Sequence, residues 1–153
     1  MRHETKKRIR IAGLILFICY LLGLTYFLFF AESYGRNLMD REYTYNLVPF
    51  LEIKRFWQNR SLLGNFAVFI NIAGNVLAFV PFGFFLPILN RFSKGLFRMT
   101  LFTFEFSLLV ETIQLVSRVG SFDVDDLILN TLGGILGYLF FAFCDYVRRK
   151  LYG

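Results

Sequence analysis

The sequence predicts an all-α integral membrane protein: four transmembrane helices, both termini cytoplasmic, and a short interfacial helix in the long first outer loop. Three observations predict it. Four apolar stretches are each long enough to cross a bilayer core, which takes about 20 residues of helix. The chain of 153 residues is 56% hydrophobic and 20% aromatic, with a mean hydropathy of +0.53, too apolar for a soluble domain of this size. Its basic residues cluster beside the apolar stretches, where they orient a membrane protein. Residues 1–153 are expected to form a single membrane domain.

The first span, about 11–31, follows Lys6, Lys7, Arg8 and Arg10 and is longer than the apolar core of a signal peptide, so it reads as an uncleaved anchor. In the outer loop of about 32–65, Pro49 opens a segment in which Phe50, Ile53 and Phe56 recur on one helical face. Trp57, Tyr34, Tyr43 and Tyr45 suit a membrane interface, so a short helix is expected to lie on the outer surface or re-enter slightly. The second span, about 66–89, carries Pro81, Gly83 and Pro87, which should bend or end its last turns because proline lacks an amide donor. The third covers about 96–116. The fourth covers about 127–147 and is expected to stop at Arg148, Arg149 and Lys150. With the N-terminus inside, Arg2 and the tail cluster, Arg91, Lys94 and Arg98, and the C-terminal cluster all face the cytoplasm, which is most of the 17 basic residues.

The formal charge of +6 does not imply nucleic acid, because the basic residues flank apolar spans rather than form a soluble basic face. Cys19 and Cys144 both lie inside apolar spans and are expected to face lipid or pack, so neither a disulfide framework nor a thiolate metal site is supported. The single histidine, His3, sits in the charged tail, which removes histidine triads and imidazole zinc sites. Any chemistry must use carboxylates, amides, hydroxyls or Arg118. No cofactor is expected, although oxygen ligands leave room for a divalent cation.

Polar side chains recur at helical spacing near the outer ends of three spans. Ser107, Glu111, Gln114 and Arg118 are four, three and four residues apart and share one face of the third helix. Asp123, Asp126 and Asn130 lead into Gly133 and Gly137 on the fourth, where the small-xxx-small pair would let another helix approach closely. On the second, Asn71, Gly74, Asn75 and Ala78 make a small and amide face. Glu111 lies roughly 8 Å below the outer end of its span. Turned together, the three faces form a polar pocket open to the outer side, and Asn71, Asn75, Ser107, Glu111, Gln114, Arg118, Asp123, Asp126 and Asn130 are its candidate ligand-binding residues. Glu111 and Asp126 are the candidates for acid and base work if there is catalysis.

Amides and hydroxyls also serve simply as helix glue, at roughly 1 kcal/mol or less each, and for Asn71, Ser107 and Gln114 alone that is the better reading. Glu111 shifts the balance, because an ionisable group at that depth needs Arg118, a proton or a bound cation. Capping of the fourth helix is an equally weighted alternative for Asp123 and Asp126, and Asp125 is expected to face solvent or cap that same helix. Glu105 points about 120° away from Glu111 and shares a face with Arg98 and Thr112, so it stands outside the pocket as a structural residue or an oligomer contact.

Asn46-Leu47-Val48-Pro49-Phe50, Asn71-x3-Asn75-x5-Pro81-x-Gly83, Glu111-x2-Gln114, Arg118, and Asp123-x2-Asp126-x3-Asn130-x2-Gly133 together resemble the VanZ-like family over about residues 45–147. The resemblance implies a small bacterial integral membrane protein of the cytoplasmic membrane, associated through its namesake with resistance to the glycopeptide teicoplanin. Three functions fit. The first is an envelope protein whose outer pocket binds an amphipathic ligand, either a lipid-bearing glycopeptide or a lipid-linked wall component. The second is an intramembrane enzyme acting on a lipid headgroup or peptidoglycan precursor with Glu111 and an Asp as acid and base. The third, a proton-coupled transporter, ranks last because the polar stripes give way to Ala78, Ile135 and Leu136 toward the cytoplasm. Membrane lipid is the expected partner, nucleic acid is not, and four helices alone enclose so small a pocket that a homodimer is compatible.

Overall fold

A computed structural model describes residues 3–31 and 43–152. Four long helices dominate it: α1 (His3–Tyr26), α4 (Asn65–Leu89), α5 (Leu96–Ser117) and α6 (Val124–Tyr152). A wider π turn, Phe27–Ala31, continues α1. Two short helices, α2 (Leu51–Gln58) and α3 (Arg60–Leu63), fill the first loop, and two-residue strands β1 (Tyr45–Asn46) and β2 (Phe122–Asp123) pair in parallel. Each long helix, α1 together with its π turn, contains an apolar segment of membrane length: Lys7–Phe29, Asn71–Leu89, Leu96–Ser117 and Val124–Leu151. The chain is a multi-pass membrane protein by these helices, all four of which were expected. Tyr34, Arg36 and Arg41 of the expected outer loop lie outside the described residues.

The bundle is built around α4 and α6, which pack on each other most extensively; α5 lies along α6 and α1 leans on α4. Glycines make the central contact possible. A Cβ on Gly133 would fall 2.1 Å from the carbonyl oxygen of Val76, one on Gly137 2.0 Å from that of Val80, and one on Gly83 2.0 Å from that of Gly134. The two backbones therefore touch with no side chain between them. Gly133 and Gly137 do admit a neighbouring helix. On α4, however, the close approach is at Gly83 and at the Val76 and Val80 carbonyls, while Gly74 has nothing within 4 Å of where its Cβ would be.

Aromatic side chains fasten the outer helices to this centre. Phe82 of α4 stacks on Phe106 of α5, with ring centres 4.7 Å apart and planes 5° from parallel, and also meets Phe17 of α1 at 5.9 Å. Tyr20 of α1 donates to the carbonyl of Ala78 at 2.8 Å.

The fourth helix differs from expectation at both ends. The fourth helix begins at Val124, and it runs on through Arg148, Arg149 and Lys150 to Tyr152. Charges mark where a helix leaves the bilayer but do not break it, and here they suit it. Arg148 and Arg149 pair with Asp145 one turn back, and all three bases favour the negative end of the helix dipole. Helix α4, by contrast, keeps its expected bounds, running through Pro81 and Pro87 to Leu89.

Candidate functional site

One end of the bundle gathers the N-terminal ends of α4 and α6 and the C-terminal end of α5, with α2 and the two strands laid across it. Two turns of unusual backbone make this possible. Arg118 ends α5 in the left-handed conformation (φ 56°), and Phe50 starts α2 in the same conformation (φ 64°). The strands then bring residues 44–46 beside 122–123: the Phe122 amide donates to the Thr44 carbonyl at 3.1 Å, and Asn46 sits in register with Asp123.

Carboxylates organise the junction. The Oδ1 of Asp123 accepts from the amide of Asp125 at 2.8 Å, the N-cap bond of α6, and from the side-chain amide of Asn46 at 3.1 Å. The backbone amide of Asp123 in turn donates to Glu111 at 3.2 Å. Asp125 neither faces solvent nor caps its own helix, contrary to expectation. Its side chain, in a residue only 1% exposed, accepts from the backbone amides of Phe50, Glu52 (2.8 Å) and Ile53 (3.1 Å). It is the N-cap of α2, supplied from more than 70 residues away. α2 has no capping side chain of its own, because Phe50 stands at its start.

Beneath this end Asn75 of α4 donates to Asp126 of α6, and Asn130 of α6 donates to Ser107 of α5 at 2.9 Å. Both Glu111 and Asn130 are 3% exposed. Gln114 donates to the carbonyl of Leu28 at 3.3 Å and so holds the end of the first span. The Arg118 guanidinium lies over the Tyr43 ring, 4.4 Å from its centre.

A cleft of about 420 Å³ opens between α2, the strands and the N-terminal ends of α4 and α6. Of the nine candidate residues, Asn71, Asp123 and Asp126 line it, and Asn75 and Glu111 each hold one of those aspartates or its backbone. Ser107 and Asn130 form a pair below it, whereas Gln114 and Arg118 bind elsewhere on the same end. The remaining polar wall comes from residues outside that set, among them Asn46, Glu52, Arg55 and Asp125. Asn46 was visible in the Asn46 to Phe50 segment. Glu52 and Arg55 had only the amphipathic pattern of α2 to announce them.

The cleft is electrostatically negative, with Glu52, Asp123, Asp125 and Asp126 against Arg55, which pairs with Glu52 at 2.6 Å. Burial pushes the Asp123 carboxyl above the usual aspartate value, opposed by the Asp125 amide that bonds it. Burial likewise raises Glu52, against the pull of Arg55, with Asp123 and Asp125 pushing it further up. Among the described residues no group of three or more acidic, histidine or cysteine side chains is arranged to hold a metal ion.

Four membrane-length helices closed at one end by a strand-paired, carboxylate-capped cleft define a multi-pass membrane protein with a polar recess. The chain belongs to the VanZ/LLP1 family, which it matches over residues 17–145. It is 32% identical over 122 residues to Protein VanZ of Enterococcus faecium. That match covers 77% of this chain and 66% of the enterococcal protein, just under two thirds of its length. No solved structure matches.

Proposed function

We propose that the chain is an envelope protein of the bacterial cytoplasmic membrane whose cleft, facing outward, takes the polar part of an amphipathic ligand and contributes to glycopeptide resistance or envelope homeostasis. The ligand is a lipid-bearing glycopeptide or a lipid-linked wall component. The observation that carries this is the cleft itself: polar walls bordered by exposed apolar surface. Leu47, Val48, Phe50, Leu51 and Trp57, which neighbour lining residues along the chain, and Phe66 at the start of α4 are all exposed. Such surface suits the headgroup layer, where aromatic rings with a polar edge settle, and Arg60 stacks over Trp57 at 4.8 Å. Helix α2 then lies in the interface with Ile53 and Phe56 turned to the cleft, so that an acyl chain runs along the rim while the headgroup meets Asn71, Asp123 and Asp126. The positive-inside bias supports this orientation, with both termini in the cytoplasm.

The test is glycopeptide and lipoglycopeptide susceptibility in a host expressing wild type, Asp126→Lys and Asn71→Ala, with membrane abundance measured for each. Protection that is present in wild type and lost in both variants at equal abundance is the expected result. Full protection by Asp126→Lys would overturn the cleft as the binding site.

A further inference from the structure

The fold leaves one polar group of α5 unexplained. Arg98, Leu101, Glu105, Leu108, Thr112 and Val116 lie within about 60° of Glu105 around the helix, and all are exposed. Helix α5 uses its opposite face, Met99, Thr103, Ser107, Val110, Glu111 and Gln114, to pack into the bundle. Glu105 is the tenth residue of this 22-residue helix. That places it about 14 Å of helix from one end and about 18 Å from the other, too far for its side chain to reach either headgroup layer. Among the described residues its carboxyl has no hydrogen bond or ion pair. Ionisable groups at such depth are turned inward or paired, as Glu111 is, because hydrocarbon offers them nothing.

Its own stripe cannot supply the partner. The Thr112 hydroxyl donates to the Leu108 carbonyl one turn back, at 2.7 Å. The Arg98 guanidinium is drawn to Phe92, over whose ring it stacks at 4.6 Å. We infer that this face of α5 docks a second copy of the chain about a two-fold axis normal to the membrane, with the two Glu105 carboxyls hydrogen-bonded to each other at its centre. Copies inserted in the same direction present every residue at the same depth, so the two-fold brings Glu105 to Glu105 and Leu101 and Leu108 to their own counterparts. A carboxyl group can present a donor and an acceptor at once, which makes it complementary to itself. The flanking residues are apolar and pack against their like, while the cleft and the α4 to α6 contact stay untouched.

The test is association of the full chain in liposomes, read by energy transfer between donor- and acceptor-labelled copies over a range of protein-to-lipid ratios. Wild type should associate, Glu105→Gln, which keeps a donor and an acceptor, should stay within about threefold of it, and Glu105→Leu should weaken association about tenfold or more. Glu105→Leu replaces an exposed side chain with one suited to lipid, so folding is not at stake. As a second measurement, Glu105→Cys in a Cys19→Ser, Cys144→Ser background should form an intermolecular disulfide on oxidation, and Phe143→Cys on the outer face of α6 should not. A monomeric wild type, equal association of Glu105→Leu and wild type, equal loss in Glu105→Gln and Glu105→Leu, or cross-linking through Phe143→Cys alone would each overturn the inference.

Discussion

Asp125 has the most consequential bonds of any single residue at the cleft end of the bundle, because its buried carboxylate is shared among three backbone amides of another element. None of the residues of α2 is buried, so little apolar packing holds that helix in place. Asp125→Ala should therefore release α2 while the long helices persist. Charge-assisted bonds of this kind contribute about 2 kcal/mol or more together, so amide exchange at Phe50, Glu52 and Ile53 should quicken by roughly thirtyfold, and Asp125→Asn should fall between. Unchanged protection in Asp125→Ala would show that α2 is held by something else. The bond was not legible in the sequence for a simple reason. An aspartate at the start of a helix is ordinarily that helix's cap, and local spacing says nothing about amides 72 to 75 residues away. Asp123, two residues earlier, does cap α6, as one of its two expected readings had it.

At the scale of elements, the contact between α4 and α6 depends on missing side chains. Gly137→Ala sets a Cβ 2.0 Å from the Val80 carbonyl, part of a backbone that cannot yield without moving the helix. A loss of about 2 kcal/mol or more is expected, read as a lower melting temperature in detergent and lower membrane abundance. Gly74→Ala meets nothing and should match wild type or exceed it by up to about 1 kcal/mol, since alanine is the better helix former. Equal losses in the two variants would mean that backbone contact is not what brings α4 and α6 together. The spacing of Gly133 and Gly137 made one side of this interface legible. The other side was not, because carbonyls belong to every residue, and Val76 and Val80 are marked only by where the bundle places them.

For the whole molecule, the arrangement of α2, the strands and the cleft at one end requires that end to face outward if it is to meet an envelope ligand. In a cysteine-free background, Gln58→Cys should react with an impermeant maleimide in intact cells, and Arg91→Cys only after permeabilisation. The reverse pattern would put the cleft in the cytoplasm and remove the proposed ligand class.

The sequence by itself determined the four membrane helices, their polar faces and the family. A bilayer demands runs of apolar residues about 20 long and tolerates few polar groups within them, and both demands are met by neighbours along the chain. Only the tertiary structure decided which polar group meets which: Asp125 with the start of α2, Asn46 with Asp123, Asn75 with Asp126, Gln114 with Leu28. A carboxylate or amide accepts any well-placed donor, and that choice is made by how the helices cross and where the chain between them returns, neither of which is written in residue spacing.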